Sequence, residues 1–151
     1  MRAVIQRVSR AAVGIEGSVH ASIGAGLLVL LGVHRDDDEA QATWMAGKIA
    51  SLRVFEDEDR VMNRSLLDTG GDVLVISQFT LLANNRKGNR PSFNDAAHPE
   101  TAVPLYESCV RTLENILSRK VSTGVFGAYM EVDLVNHGPV TIVIDSAGPA
   151  K

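Results

Sequence analysis

Leu27-Leu28-Val29-Leu30-Leu31-Gly32-Val33 is the stretch on which the fold turns. It is apolar throughout, so it carries neither the alternation of a half-buried strand nor the 3.6 period of a surface helix. It is also too short for a typical helix, and a strand covered on both faces, central in its sheet, is the reading that remains. Towards the N-terminus, Ala3 to Val8 and Ala11 to Ile15 are strand-like, and Glu16-Gly17 supplies a turn before Val19 to Ile23, which together read as a hairpin. Towards the C-terminus, the acidic run Asp36-Asp37-Asp38-Glu39 precedes Ala42, Met45, Ile49 and Leu52 at helical spacing. Carboxylates there cap free N–H groups and oppose the helix dipole, a better account of the run than metal binding.

Arg53-Val54-Phe55 reads as a further strand and Glu56 to Arg60 as a loop. Val73 to Leu81, after Gly70-Gly71, carries the strongest strand signal, although it ends on the polar Ser77-Gln78-Phe79-Thr80. Ala102, Leu105, Cys109, Leu113, Ile116 and Leu117 mark an amphipathic second helix. Pro99 and Pro104 belong in its first turns, where a missing N–H costs little. Two closing strands, Tyr129 to Val135 and Val140 to Asp145, are joined by Asn136-His137-Gly138-Pro139. Many strands with two main helices predict an α+β, strand-rich, barrel-like single domain over residues 1–146, with 147–151 as a frayed tail.

Composition narrows the function. A length of 151 residues suits one domain with one core, and 45% apolar with 22% charged residues is the balance of a folded protein. No apolar run reaches the roughly 18 to 20 residues of a membrane-spanning helix, and Met1 to Gln6 lacks a signal peptide's apolar stretch, so the expected compartment is the cytoplasm. Cys109 is the sole cysteine and no Cys/His spacing resembles a zinc site, so neither a metal nor a cofactor is expected. A net charge of −3 argues against a protein that coats nucleic acid, and no DNA partner is expected. Any RNA contact must be local. The candidate patch is Arg86, Lys87 and Arg90 among Asn84, Asn85 and Asn89, a stretch that also reads as a solvated loop.

Two polar interruptions stand where strands meet loops: Ser77-Gln78-Phe79-Thr80 and Asn136-His137-Gly138-Pro139-Val140-Thr141. A strand end holds its peptide groups rigidly enough to serve as ligand donors and acceptors, although either segment also suits a plain turn. Thr80 is the obvious hydroxyl nucleophile, but no neighbouring motif supplies a histidine base. His20, His34, His98 and His137 are scattered, and Cys109 lies in the apolar stripe of a helix, where packing outweighs reactivity.

These blocks carry a resemblance. Met1 to Val8, Gly26 to Val33, Lys48-Ile49, Leu52 to Asp57, Ser77 to Leu81, Arg86 to Phe93, Thr123 to Ala128 and Asn136 to Thr141 resemble, in order and spacing, the D-aminoacyl-tRNA deacylase (D-tyrosyl-tRNA deacylase) family. The likeness covers residues 1–146. It implies a homodimer with active sites at the subunit interface, acting on the terminal adenosine and aminoacyl ester of a tRNA. It also implies that Gly138-Pro139 is cis, against the trans default of X-Pro bonds, and that its carbonyls reach into the partner's pocket to test chirality. Arg7 matches a family arginine that orients those carbonyls through charge-assisted hydrogen bonds, and Phe126 and Met130 match positions near the adenosine and the Gly-Pro loop. On residue pattern alone Arg7 is a strand-edge charge, and Phe126 and Met130 are core.

Rejecting L-aminoacyl esters by a factor of about 10⁴ requires differential binding beyond what one methylene in an apolar pocket supplies, whereas steric exclusion by fixed backbone can reach it. Glycine has hydrogen at both positions and would pass, so glycyl-tRNA is an expected second substrate, and the resemblance implies that this is glycine mischarged on tRNA(Ala). The ester is already activated and the adjacent ribose hydroxyl can move a proton. The protein would then need chiefly to position water and hold the oxyanion, roles assigned to Ser77, Gln78, Phe79 and Thr80. Arg86, Lys87 and Arg90 would meet acceptor-stem phosphates. Two rivals stay open: a non-catalytic binding or dimerisation module on this fold, and a general esterase using Thr80 or Ser77.

Overall fold

The structure, a computed structural model, describes residues 1–86 and 88–146. Strand β1 (Arg2–Ile15) turns at Glu16-Gly17, both at positive φ (52° and 78°), into β2 (Ser18–Ile23), and β3 (Gly26–Gly32) follows. Helix α1 (Glu39–Ser51) leads to a small hairpin of β4 (Phe55–Glu56) and β5 (Met62–Arg64) and to the one-turn helix α2 (Leu66–Thr69). Then come β6 (Asp72–Ser77), a 3-10 turn (Phe79–Leu82), helix α3 (Pro99–Leu117), β7 (Ser122–Thr123) and β8 (Glu131–Asp145).

The strand order is β2-β1-β3-β6-β7, with β8 along the other edge of β1. β3 is central, antiparallel to β1 and parallel to β6, as its unbroken apolar run requires. Its alternate residues serve two cores. Leu27, Val29 and Leu31 face helices α1 and α3 together with Val73 and Val75, Met45, Ile49, Leu105 and Leu113. Leu28 faces the other way, with Val8, Val13, Ile23, Leu74 and Ile76. The sheet curls until β2 approaches β6 and β7, so this second cluster fills the interior of a nearly closed barrel.

Helix α1 starts where the acidic run predicts. Asp38 caps it, accepting from Ala40 N at 2.7 Å, while Gln41 Oε1 accepts from Asp38 N at 2.8 Å to complete a capping box. Helix α3 has Pro99 at its first position and holds Pro104 one turn further on. Its Tyr106 hydroxyl donates to Val75 O at 2.9 Å, tying helix to sheet.

Four sequence expectations need correction. β1 is one strand: Arg7 and Val8 are both buried and Ser9 and Arg10 both exposed, so the backbone passes the polar pair as a bulge. The strand expected over 73–81 stops at Ser77, where the chain turns. The strand expected at Arg53-Val54-Phe55 is only Phe55–Glu56, with Val54 buried ahead of it. The two closing strands are one, because both halves of β8 pair with β1, from Arg2 opposite Asp145 to Gly14 opposite Glu131. The tail 147–151 lies outside the described residues. Among the described residues, no helix is long and apolar enough to cross a membrane.

Candidate active site

The first motif is shaped by two strand ends. Leu31 of β3 lies beside Ser77 of β6, and Gln78 N donates to Leu31 O at 2.8 Å. The next residue on β3 is Gly32, and a Cβ there would come within 2.8 Å of Gln78 O and 2.4 Å of the Leu82 side chain. Only a bare glycine lets the chain fold over the end of β3 into the 3-10 turn. Phe79 and Thr80 are thereby presented at the surface, and the Gln78 amide donates to Thr80 Oγ1. Arg2 pins the far end of the turn: its Nη1 donates to Leu81 O at 3.0 Å, while Nε and Nη2 grip Asp145 at 2.6 and 3.1 Å.

Beside this turn lies a cavity of about 280 Å³. Ser77, Gln78 and Phe79 line it on one side, Phe126 to Met130 on the other, with Leu31 and Ile76 also in its wall. Phe126 packs edge-on against Tyr106, ring centres 6.0 Å apart. Met130 reaches in because Gly124 yields space: a Cβ on Gly124 would meet Met130 Sδ at 2.5 Å.

The second motif forms a separate feature. Gln6 pairs with Thr141 and Val8 with Asn136, so Arg7 alone stands opposite the four residues from His137 to Val140. These bulge out of the ladder, and the Gly138–Pro139 peptide within them is cis. Asn136 closes the base of the bulge like an extra peptide, Nδ2 donating to Val140 O at 3.0 Å and Oδ1 accepting from Val140 N at 2.8 Å. Arg7, only 5% exposed, donates through Nε to His137 O and through Nη1 to Val54 O, both at 2.7 Å, with Glu56 Oε1 3.4 Å from Nη2. Gly138 has φ +155°, and a Cβ there would lie 2.7 Å from Val140 N.

Ser77, Gln78, Phe79, Phe126 and Met130 therefore meet at one cavity, with Thr80 on the adjoining turn. Arg7 contacts the Gly138-Pro139 bulge, but none of the three lines that cavity. Arg86 and Arg90 line a different groove with Arg35, and Lys87 lies outside the described residues. No histidine is in the cavity wall among the described residues, although His98 borders the depression beside it. Burial pushes the Cys109 thiol up to about 12, as suits a core residue. Sequence reasoning gave no role to Gly32, Gly124 or Arg2, and it placed Asn136 in the second motif without its part in closing the bulge. A glycine interrupting the apolar run at Gly32 was the one available signal.

The sequence profile of the family described as D-Tyr-tRNA(Tyr) deacylase matches residues 4–145, nearly the whole chain and both motifs. The chain belongs to this family. A D-aminoacyl-tRNA deacylase of Opitutus terrae is 60% identical over 146 residues, covering 97% of each chain. A solved structure described as the c-Myc DNA Unwinding Element Binding Protein is 41% identical, with a TM-score of 0.92 over 99% of this chain and 100% of that one. Another, described as a probable eukaryotic D-amino acid tRNA deacylase, is 15% identical with a TM-score of 0.80 over 95% and 97% of the two chains, a likeness of fold alone. Membership bears out the resemblance carried by the motif blocks, and the barrel with its helices is the D-Tyr-tRNA deacylase fold.

Proposed function

We propose that this chain is a D-aminoacyl-tRNA deacylase that hydrolyses the ester between a D-amino acid, or glycine, and the terminal ribose of a tRNA. The observation that carries the reading is the cavity built from Ser77, Gln78 and Phe79 against Phe126 to Met130, in a chain of this family. Its wall has apolar surface for an adenosine and the half-buried strand end at Ser77-Gln78, with no histidine among the described residues. The first N–H groups of a helical turn have no partner within it, so those of Phe79 and Thr80 suit a developing oxyanion.

In this scheme water attacks the ester carbonyl and the adjacent ribose hydroxyl takes up and relays its proton. The tetrahedral oxyanion is held by the 77–80 segment, and collapse expels the ribose oxygen, which leaves protonated. The side chains of Ser77, Gln78 and Thr80 position the water and the ester. The Gly138-Pro139 bulge, oriented by Arg7 and absent from its own cavity, would complete the partner's cavity in a homodimer and exclude an L side chain by its backbone. Arg86, Lys87 and Arg90 would meet acceptor-stem phosphates, and the enzyme would act in the cytoplasm.

A deacylation assay with D-tyrosyl-tRNA, L-tyrosyl-tRNA and glycyl-tRNA(Ala) tests this. The D and glycyl esters should be cleaved and the L ester spared. Equal cleavage of both enantiomers would remove the gate. Thr80→Ala should lower turnover without abolishing it, as loss of a positioning group does; complete loss with tRNA binding intact would replace RNA assistance by side-chain catalysis. Rapid hydrolysis of simple esters without RNA would favour a general esterase. The description of the 41% identical structure raises a DNA-binding reading. A net charge of −3 and one short basic patch speak against it, and duplex DNA binding at physiological salt would support it.

A further inference from the structure

The cavity does not end at Phe79. That residue, with Ala97 and Phe126, also lines a second depression of about 600 Å³ that includes Phe93, Asn94 and Arg35. Arg35 and Asn94 in turn form the wall of a third depression with Arg86 and Arg90. Shared walls set the three side by side as a path, apolar at the cavity end and, with three arginines against Asp95, net cationic at the other. Along it, Phe79 and Phe93 are 56% and 38% exposed, and their rings meet edge to face at 5.1 Å. Two exposed phenylalanines held in a fixed mutual orientation have ring surface unused by the core. Arg35 stands at the junction, held loosely: Asp95 lies 3.7 Å and Asp36 3.9 Å from its guanidinium, and Nη1 reaches Asn94 O at 3.4 Å.

We infer that this path binds the nucleotides immediately preceding the terminal adenosine, with a base stacking on the Phe79-Phe93 pair and the following phosphate on Arg35. Single-stranded nucleic acid is held elsewhere by this combination, aromatic faces for bases and a cationic track for the backbone. The order of parts follows the substrate: adenosine in the cavity, a base on the adjoining aromatic shelf, a phosphate at the arginine beyond it. Arg86 and Arg90 continue the track, so Arg35 and Phe93 join a site that the basic patch alone does not define. A single strand fits where a duplex does not, because a duplex hides its base faces. The inference rests on the cavity being the adenosine site.

The test compares D-tyrosyl esters of adenosine and of the cytidylyl-cytidylyl-adenosine trinucleotide, with full D-tyrosyl-tRNA as reference. For the unmodified protein, kcat/KM should be about tenfold higher on the trinucleotide ester than on the adenosine ester, the scale of one stacked base. Phe93→Ala should bring that ratio near one. Arg35→Gln should lower the ratio and flatten the salt dependence of the trinucleotide reaction. Each ratio is taken within one preparation, so a variant that folds only in part still reports it, and the exposed Arg35 can be changed without touching the core. An unmodified protein that cleaves the tRNA ester but treats both small esters alike would overturn the inference alone. So would a ratio unchanged in both variants. Failure to cleave any D-tyrosyl ester, the tRNA included, would overturn the reading of the cavity and this inference with it.

Discussion

Gly124 and Met130 set the inner wall of the cavity between them. A methyl at 124 would strike the thioether of Met130, a flexible group that can swing aside at little cost to the fold. Gly124→Ala should therefore leave thermal stability nearly unchanged yet lower kcat/KM on D-tyrosyl-tRNA by on the order of tenfold to a hundredfold, as misplacement at a reacting site does. A melting temperature that falls sharply with activity intact would refute that division. Cys109 behaves oppositely. Desolvation first, and then the nearby Glu39 charge, raise its thiol to about 12. A raised folded value means that the stabilisation is complete below the ordinary thiol value of about 8.5 and is lost as pH climbs towards 12. At pH 8 the native thiol should resist alkylation until denaturant unfolds the chain. Prompt labelling of the native protein would mean that the helix face is open. The packing role of Cys109 was legible from its position in an apolar stripe. Gly124 was not, because nothing in its neighbourhood names the distant Met130 it makes room for.

At the level of elements, α1 was readable because its signals are local. A capping carboxylate, a residue three positions on to complete the box, and apolar residues at helical spacing all fall within one stretch of chain. Asp38→Ala should cost about 1 kcal/mol in denaturant unfolding, with Asp38→Asn close to the native value. No difference between the two would deny the cap a role. β8 was misread for the opposite reason. Asn136-His137-Gly138-Pro139 has the composition of a turn, and composition cannot reveal that both flanking segments share one partner, β1. What makes the bulge possible is Arg7, a charge buried inside a strand. Arg7→Gln should destabilise the fold by about 2 kcal/mol, the scale of charge-assisted hydrogen bonds to backbone oxygens. It should also reduce discrimination between D- and L-tyrosyl-tRNA. Unfolding curves and paired deacylation rates would check both, and unchanged discrimination would separate Arg7 from the gate.

Across the whole molecule, the proposal requires that one protomer's bulge complete another's cavity. Gly138→Ala places a methyl against the backbone N of Val140, and Gln78→Ala alters the cavity, so each variant alone should deacylate poorly. Co-refolded mixtures should recover activity, because a mixed dimer holds one intact bulge facing one intact cavity. Mixtures no better than either variant, together with a monomeric mass in sedimentation, would end the shared-site reading. By itself the sequence determined the identity and central place of β3, the first hairpin, both long helices and the two motifs that mark the family. Each of these is written in neighbouring residues through period, turn chemistry or capping. Only the tertiary structure decided that the 73–81 signal breaks at Ser77, that β8 runs unbroken past Arg7, and that Phe93 and Arg35 extend the path from the cavity. Those outcomes depend on which atoms meet across the sheet and between loops far apart in the chain, and pairing at a distance leaves no trace in local pattern.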